Sequence, residues 1–456
     1  MTGRIAQQEI ENKKQILMDL SKKIWEHPET GYQEFQAGKW TAEILEQEGF
    51  QVERNYTGIP TALKATWGSG KPVIGFLGEY DALCNLSQKV STDLDPVTEG
   101  APGHGCGHNL MVSACVGAVI GLKKEMQERS LQGTIVFYGC PAEEMLTGKV
   151  FMARGGAFRE LDLAFSWHPT PVTAMFTTGT ACGLNSAKFH FKGKTAHGGA
   201  DPHNGRSALD AAQLMNMAVE FLREHVTSDV RIHYAFTDVP GSPNVVPEKT
   251  TLWYYVRAMS REAVEDTYRR VVRAAEGAAW ATETQLTVEF MGGCYETLQN
   301  KVLYNLARDV IQEIPGVEWT QEELDFAKAL NEKSPNYEKF LAKGTIDEST
   351  QIDRAVLTNE VIDVFGSNDV GEVQHIVPAV YFGTPSSNIG AAAHSWQIVA
   401  CAGHSIGMKS MLHAARVLAV AALKAIEDPT IVAKAKAEFD QAMHGRTYVC
   451  PIPDEI

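Results

Sequence analysis

With 456 residues, 44% apolar and 21% charged, the chain is long enough for two or three domains and apolar enough to bury a sizeable core. Its formal net charge of −15, from 41 Lys and Arg against 56 Asp and Glu, argues against a phosphate backbone as partner, so no nucleic acid is expected. The start, MTGRIAQQEIENKK, lacks the apolar segment of a signal peptide, no uninterrupted apolar stretch is long enough to span a bilayer, and the eight cysteines are scattered rather than framed as disulfides; a cytoplasmic chain with no membrane partner is expected.

In chain order, residues 4 to 28 carry Ile10, Ile16, Leu17, Leu20, Ile24 and Trp25 at helical spacing. HPETGYQEF, with Pro28 and Gly31, reads as a turn, GKWTAEILEQEGF as a helix ending at Gly49, and TALKATWGSG as a strand closing on a glycine turn. KPVIGFLGEYDAL holds a short apolar run bounded by polar residues, as in a buried parallel strand, with Glu79 and Asp81 just past its end. Sites in open α/β sheets form outside the carboxyl ends of strands, although two acids there also suit a solvated loop.

GHGCGHNL, Gly103 to Leu110, then leads into the apolar helical run MVSACVGAVIGL. Cys106 and His108 are one residue apart, so both can reach one metal if the backbone turns, and the glycines permit that turn. A glycine-rich helix start with a buried cysteine would look the same. Two further strands repeat the pattern of the first. Thr134 to Tyr138 leads to Pro141 and the pair Glu143 and Glu144, and Leu163 to Trp167 ends in His168. The glutamates also suit a helix start and the histidine a satisfied core position, but three strands delivering ionisable groups beside Cys106 and His108 favour a metal centre.

From about residue 185 the character changes. SAKFHFKGKTAH alternates, the helix SALDAAQLMNMAVEFLREHV follows, then strands RIHYAFTDV and TTLWYYVRAM, the helix REAVEDTYRRVVRAAEGAAWATE and the strand TQLTVEFMGG. This β-α-β-β-α-β order predicts a ferredoxin-like domain over 185–297, inserted between catalytic parts 1–184 and 298–456, with an exposed edge or helix face suited to dimerisation. Beyond it, VLYNLARDVIQEI and TQEELDFAKALNEK read as helices, the latter with a capping box at Thr320 and Glu323. GSNDVGEVQHIVPAVYFG joins a polar glycine loop to an apolar strand, AAAHSWQIV supplies His394, and GMKSMLHAARVLAVAALKAIED is an amphipathic helix.

The ordered set GEYDAL, GHGCGHN, PAEE, SWHP, KTAHGGADPHNGRSALDA, SPNVVPE and AHSWQ resembles the aminoacylase and carboxypeptidase family of dinuclear metallopeptidases, over nearly the whole chain. Within it the chain is similar to the thiolate-ligand amidohydrolase branch that includes the p-aminobenzoyl-glutamate hydrolase subunits. The resemblance implies an α/β catalytic domain of zinc-peptidase type with a mostly parallel central sheet, interrupted by a ferredoxin-like α+β lid or dimerisation domain. It implies two divalent ions, zinc or manganese, held by Cys106 as the bridging thiolate with His108, Glu144, His168 and His394. Glu143 would be the general base, Asp81 a carboxylate behind the ligands, and His197 of the lid a donor to the oxyanion. Familiar members carry His where this chain has Glu79, and a bridging Asp where it has Cys106; the thiolate branch shares both departures.

Such chemistry suits an amide, a poor electrophile attacked by a poor nucleophile. Metal-activated water would attack, and Glu143 would take its proton and pass it to the leaving nitrogen. Asn244 and Arg257 are candidate anchors for a substrate carboxylate, with surface pairing or capping as the plainer role for each, and Arg206 suits a structural role at a helix start. The expected substrate is a small N-acyl or N-aminobenzoyl amino acid. A dipeptidase, or a non-catalytic partner of a homologous hydrolase, is the alternative. The expected assembly is a homodimer through the lid, or a heterodimer with a homologous subunit.

Overall fold

Local breaks decide where the first elements end. The computed structural model describes residues 2–176, 180–239, 241–353 and 366–455. The amphipathic opening folds as two helices rather than one, α1 (Arg4–Asn12) and α2 (Lys14–Glu26), because Lys13 leaves helical geometry (φ −91°, ψ 2°) while its ammonium pairs with Glu48 Oε1 at 2.5 Å. The HPETGYQEF turn runs directly into α3 (Phe35–Gln47). Two compact units follow from the contacts of the chain. The first comprises Met1–Thr177, Leu298–Ile362 and Glu372–Val449.

The first unit is built on a seven-stranded sheet. Its strands are β1 (Gln51–Arg54), β2 (Leu63–Ser69), β3 (Val73–Glu79), β4 (Gly133–Cys140), β5 (Leu163–Thr170), β6 (Ala174–Met175) and β11 (Ala379–Pro385). The order is β1-β2-β4-β3-β5-β11-β6. The four central strands β4, β3, β5 and β11 run parallel, and the outer ones are antiparallel to their neighbours. β3 through Phe76, β5 through Phe165 and β11 throughout are buried, as expected of parallel strands covered by helices on both faces. Register puts Glu79 level with Cys140, and Gly383 level with His168. The carboxyl ends of the central strands therefore open on one edge of the sheet.

Helix α4 (His108–Glu128) is buried on nearly every side, so its low amphipathicity is what its position demands. It packs between β3, β4 and β5 and the helices α1, α2 and α13 (Ser405–Glu427). Ala6 of α1 donates its N–H to the buried Glu125 Oε2 of α4 at 2.8 Å. By length and composition α13 could cross a membrane, but 89% of its apolar window is buried within the fold. The remaining helices of this unit are α5 (Gly148–Arg154), α8 (Lys301–Glu313), α9 (Gln321–Asn331), α10 (Pro335–Ala342), α12 (Trp396–Ala402) and α14 (Pro429–Met443). The capping box expected at Thr320 forms with Glu323.

The second unit comprises Thr178–Thr297 with Asp363–Gly371 and Cys450–Ile456, so two short pieces of the C-terminal part group with it. Arg257 Nη1 donates to Ser367 Oγ at 2.7 Å, and Cys182 N to Gly366 O at 2.7 Å. The polar loop expected at GSNDVGEVQH is in part a short helix, α11 (Val370–Gln374). The unit runs β7 (Gly183–Lys192), α6 (Ala208–Leu222), β8 (Arg231–Asp238), β9 (Lys249–Ala258), α7 (Arg261–Ala281) and β10 (Gln285–Cys294), the expected β-α-β-β-α-β order. Its antiparallel sheet has the order β10-β7-β9-β8, which leaves β8 on an edge. Phe189, Leu252, Tyr254, Val256 and Val271 fill the core between sheet and helices.

Phe165, fully buried in β5 and stacked on Phe76 at 6.0 Å, tests the central core. Phe165→Ala should cost about 3–5 kcal/mol in urea unfolding. Trp280→Ala, at a side chain 87% exposed, should stay within about 0.5 kcal/mol.

Candidate metal centre

The centre assembles where the central strands end. Gly107 takes the left-handed conformation (φ 77°) that starts α4, and a Cβ on Gly103 would fall 2.1 Å from Leu86 O, so the GHGCGH loop needs both glycines. That loop carries Cys106 and sets His108 at the first position of α4. Asn109, the next residue, is structural: its Nδ2 donates to Ser21 Oγ at 3.0 Å and Ala402 O at 3.2 Å, tying α4 to α2 and α12.

His108 is fully buried. Its Nδ1–H donates to Asp81 Oδ1 at 2.9 Å and to Asp81 O at 3.1 Å, which leaves Nε2 facing inward. Asp81 Oδ2 accepts the Glu144 N–H at 2.9 Å. One carboxylate thus holds both the imidazole and the acid loop. Burial alone would raise the Asp81 carboxyl, but the hydrogen bond and charge of His108 hold it below its usual value. Glu79 Oε2 lies 3.3 Å from His108 Nε2, and its other oxygen pairs with the fully buried Lys149 Nζ at 2.5 Å.

Glu143 and Glu144 start a single 3-10 turn, Glu143–Met145, between two left-handed residues, Ala142 and Leu146. Glu143 Oε2 is 3.8 Å from His108 Nε2. His168, at the end of β5, donates Nδ1–H to Pro169 O at 2.7 Å and turns Nε2 to Cys106 Sγ at 3.2 Å. His394, half-exposed and left-handed (φ 55°), brings Nε2 to 3.4 Å from Glu144 Oε2. Two triads result, Cys106–His108–His168 and Cys106–Glu144–His394, with ligand atoms within 4.8 Å of one another in each. They share Cys106. A third group, Glu79–His108–Glu143, adjoins them.

The donors fit divalent ions. His108 Nε2 and Glu144 Oε1 are buried and make no hydrogen bond among the described residues. Burial pushes the Cys106 thiol well up and the Glu144 carboxyl to about 7, while burial and the His108 charge push His168 down to about 4. A cation reverses the first two trends, because it stabilises thiolate and carboxylate, and it binds the neutral imidazole. Thiolate, imidazole and carboxylate together suit zinc and its neighbours.

The remaining candidates belong to the second unit. His197 is exposed, and its backbone bridges to Val245. Its Nδ1 accepts the N–H groups of Gly199 and Ala200 at 3.1 and 3.0 Å, so the ring proton sits on Nε2. Asn244 lies beside it, its carbonyl accepting Gly198 N–H at 2.7 Å. Arg257 stands apart, at the far end of β9 and roughly 25–30 Å of strand from Asn244. It lies over the Tyr255 ring and donates to Ser367. One copy of the unit cannot close both on one carboxylate. Arg206 donates to Glu283 and to neighbouring carbonyls, the structural role expected of it. Sequence reasoning missed Lys149, whose position in a helix after an acid pair looks solvated, and Glu34, an acid in a polar turn.

Residues 180–280 match the peptidase dimerisation domain. The chain is 38% identical, over 98% of its length and 96% of the relative's, to a p-aminobenzoyl-glutamate hydrolase subunit of Escherichia coli (strain K12). It is 28% identical, over 96% and 91%, to the Xaa-Arg dipeptidase of Mus musculus. Its fold matches that of a dinuclear metal binding peptidase of the M20 family from Bacillus subtilis with a TM-score of 0.60, at 17% identity, covering 91% of this chain and 99% of that one.

Sharing of Cys106 makes metal content diagnostic. Cys106→Ala should weaken both bound ions, whereas His394→Ala should weaken one; elemental analysis after dialysis against a weak chelator would read the difference.

Proposed function

The chain belongs to the M20 family of peptidases and amidohydrolases, and from that premise we propose that it cleaves the amide bond of an N-acyl or N-aminobenzoyl amino acid such as p-aminobenzoyl-glutamate. It is a metal-dependent hydrolase of carbon–nitrogen amide bonds. The observation that carries the reading is the pair of triads sharing Cys106, with Glu143 beside them.

When bound, two divalent ions, zinc or manganese, supply Lewis-acid polarisation of the amide carbonyl and acidify water. Cys106, His108 and His168 would hold one ion, and Cys106, Glu144 and His394 the other. Glu143, nearly buried at the acid turn, takes a proton from the attacking water and returns it to the departing nitrogen. Asp81 keeps its proton acceptors on His108 and the Glu144 N–H and so fixes the orientation of both. His197, with its proton on Nε2, donates to the oxygen on which negative charge develops. Asn244, beside His197, receives the carboxylate of the leaving amino acid. Arg257, at the other end of β9, is the alternative anchor for that carboxylate.

Assembly follows from the edge strand. Tyr234, Phe236 and Val239 on or just beyond β8, with Leu214, Met217 and Phe221 on α6, leave a broad apolar face exposed. A second copy pairs its β8 antiparallel to this one, the two-fold solution for an unpaired edge; a homologous subunit would use the same face. The free state of all eight cysteines agrees with a reducing cytoplasm.

Purified chain should cleave p-aminobenzoyl-glutamate, lose activity to a chelator and regain it with zinc or manganese. Glu143→Gln should cut kcat about 10²–10⁴-fold with metal content unchanged. Cleavage of Xaa-Arg dipeptides instead would favour the dipeptidase reading, which the mouse relative supports. Activity only on mixing with a homologous subunit would favour a partner role. Separately, Phe221→Glu combined with Phe236→Lys should shift the chain from dimer to monomer in sedimentation velocity.

A further inference from the structure

The HPETGYQEF turn has no part in the chemistry above, yet it carries a fully buried acid. Glu34 Oε1 accepts the N–H of Ala142 at 2.8 Å. Ala142 is the residue before Glu143, and it is held at φ 53°, ψ 39°, a left-handed conformation that an alanine keeps only when its surroundings enforce it. Its buried N–H would otherwise lack an acceptor.

The same turn touches the acid loop twice more. Gly31 approaches so closely that a Cβ there would fall 2.9 Å from Met145 Sδ and 3.1 Å from Ala142 Cβ. The Tyr32 hydroxyl donates to Thr147 Oγ1 at 2.8 Å. Glu29 O also accepts the Ala82 N–H at 2.8 Å, one residue beyond Asp81. The turn therefore grips the loops that follow β3 and β4, and at Ala142 the grip is a single side-chain oxygen.

We propose that Glu34 is a positioning residue for the acid pair: by accepting the Ala142 N–H it locks the left-handed peptide from which Glu143 and Glu144 project. This rests on the roles proposed for those two glutamates. Glu34 acts through reach and acceptor geometry, not through charge. Burial, with the nearby Asp81 charge, lifts its carboxyl to about 7, so the neutral form is accessible and an amide is a fair mimic. Both forms keep an acceptor oxygen for the N–H.

Two conservative variants of the full chain separate the possibilities. Glu34→Gln keeps the acceptor at full length and removes the charge. Glu34→Asp keeps the charge and withdraws the oxygen by one methylene. Zinc affinity is read by competition with a chromogenic chelator, and kcat and KM on whichever amide the chain cleaves. E34D should lower kcat about 10–100-fold with KM changed by less than about 3-fold, and weaken by about 10-fold or more the zinc ion that depends on Glu144. E34Q should stay within about 3-fold of the parent in every readout. The reverse pattern, equal loss in both, or no loss in either overturns the proposal. Because zinc affinity needs no substrate, a chain that cleaves none of the amides tested would refute the proposed function and still leave the brace to be judged.

Discussion

The two oxygens of Asp81 hold together the start of α4 and the acid loop after β4. One accepts from His108 Nδ1 and the other from the Glu144 backbone. Strand β3 thereby reaches sideways to the start of α4 and to the loop after β4, two places far apart in sequence. A carboxylate buried to 1% exposure is costly unless such hydrogen bonds compensate it, and here they do so while fixing a ring and a peptide. The constraint works in both directions. His108 keeps Asp81 ionised, and Asp81 chooses which nitrogen of His108 faces inward.

Around that carboxylate the unit concentrates more acid than a dry interior tolerates. Glu79, Glu143 and Glu144 all sit within the neighbourhood of His108. Lys149 neutralises Glu79 in a pair of two fully buried groups. In so buried a pair, removing one partner costs more than the pair itself contributes to stability. Placed where familiar family members carry a histidine, Glu79 becomes a compensated acid.

The parts of this arrangement legible in sequence were those written in short runs. Three apolar strands ending in GEYDAL, PAEE and SWHP put their ionisable residues on one sheet edge because parallel strands align their carboxyl ends. The alternating pattern of β7 and the capping box at Thr320 were equally local. Other features depend on pairs distant in sequence. The order β4-β3-β5 is set by crossovers that periodicity cannot show, and Lys149 and Glu34 look like surface residues until the chain is folded. The distance between Asn244 and Arg257 was hidden for a related reason: thirteen positions separate them in the sequence, but an extended strand converts that short separation into opposite ends of a sheet.

Three histidines illustrate how neighbours assign chemistry to identical rings. His108 and His168 each spend Nδ1–H on an oxygen, of Asp81 and of Pro169, which leaves Nε2 as the nitrogen open to a cation, and a cation binds the neutral ring. His197 meets two backbone N–H groups at Nδ1 and so presents Nε2 with its proton. The first two rings are electron-pair donors suited to a cation, the third a hydrogen-bond donor suited to a developing anion. No difference in the residues themselves determines this. It follows from whether the chain offers Nδ1 an acceptor or a donor: at a strand end such as Asp81 or Pro169 an oxygen is offered, and in the glycine turn after His197 successive N–H groups are. Backbone conformation, acting at Nδ1, thus sets what each ring can offer at Nε2.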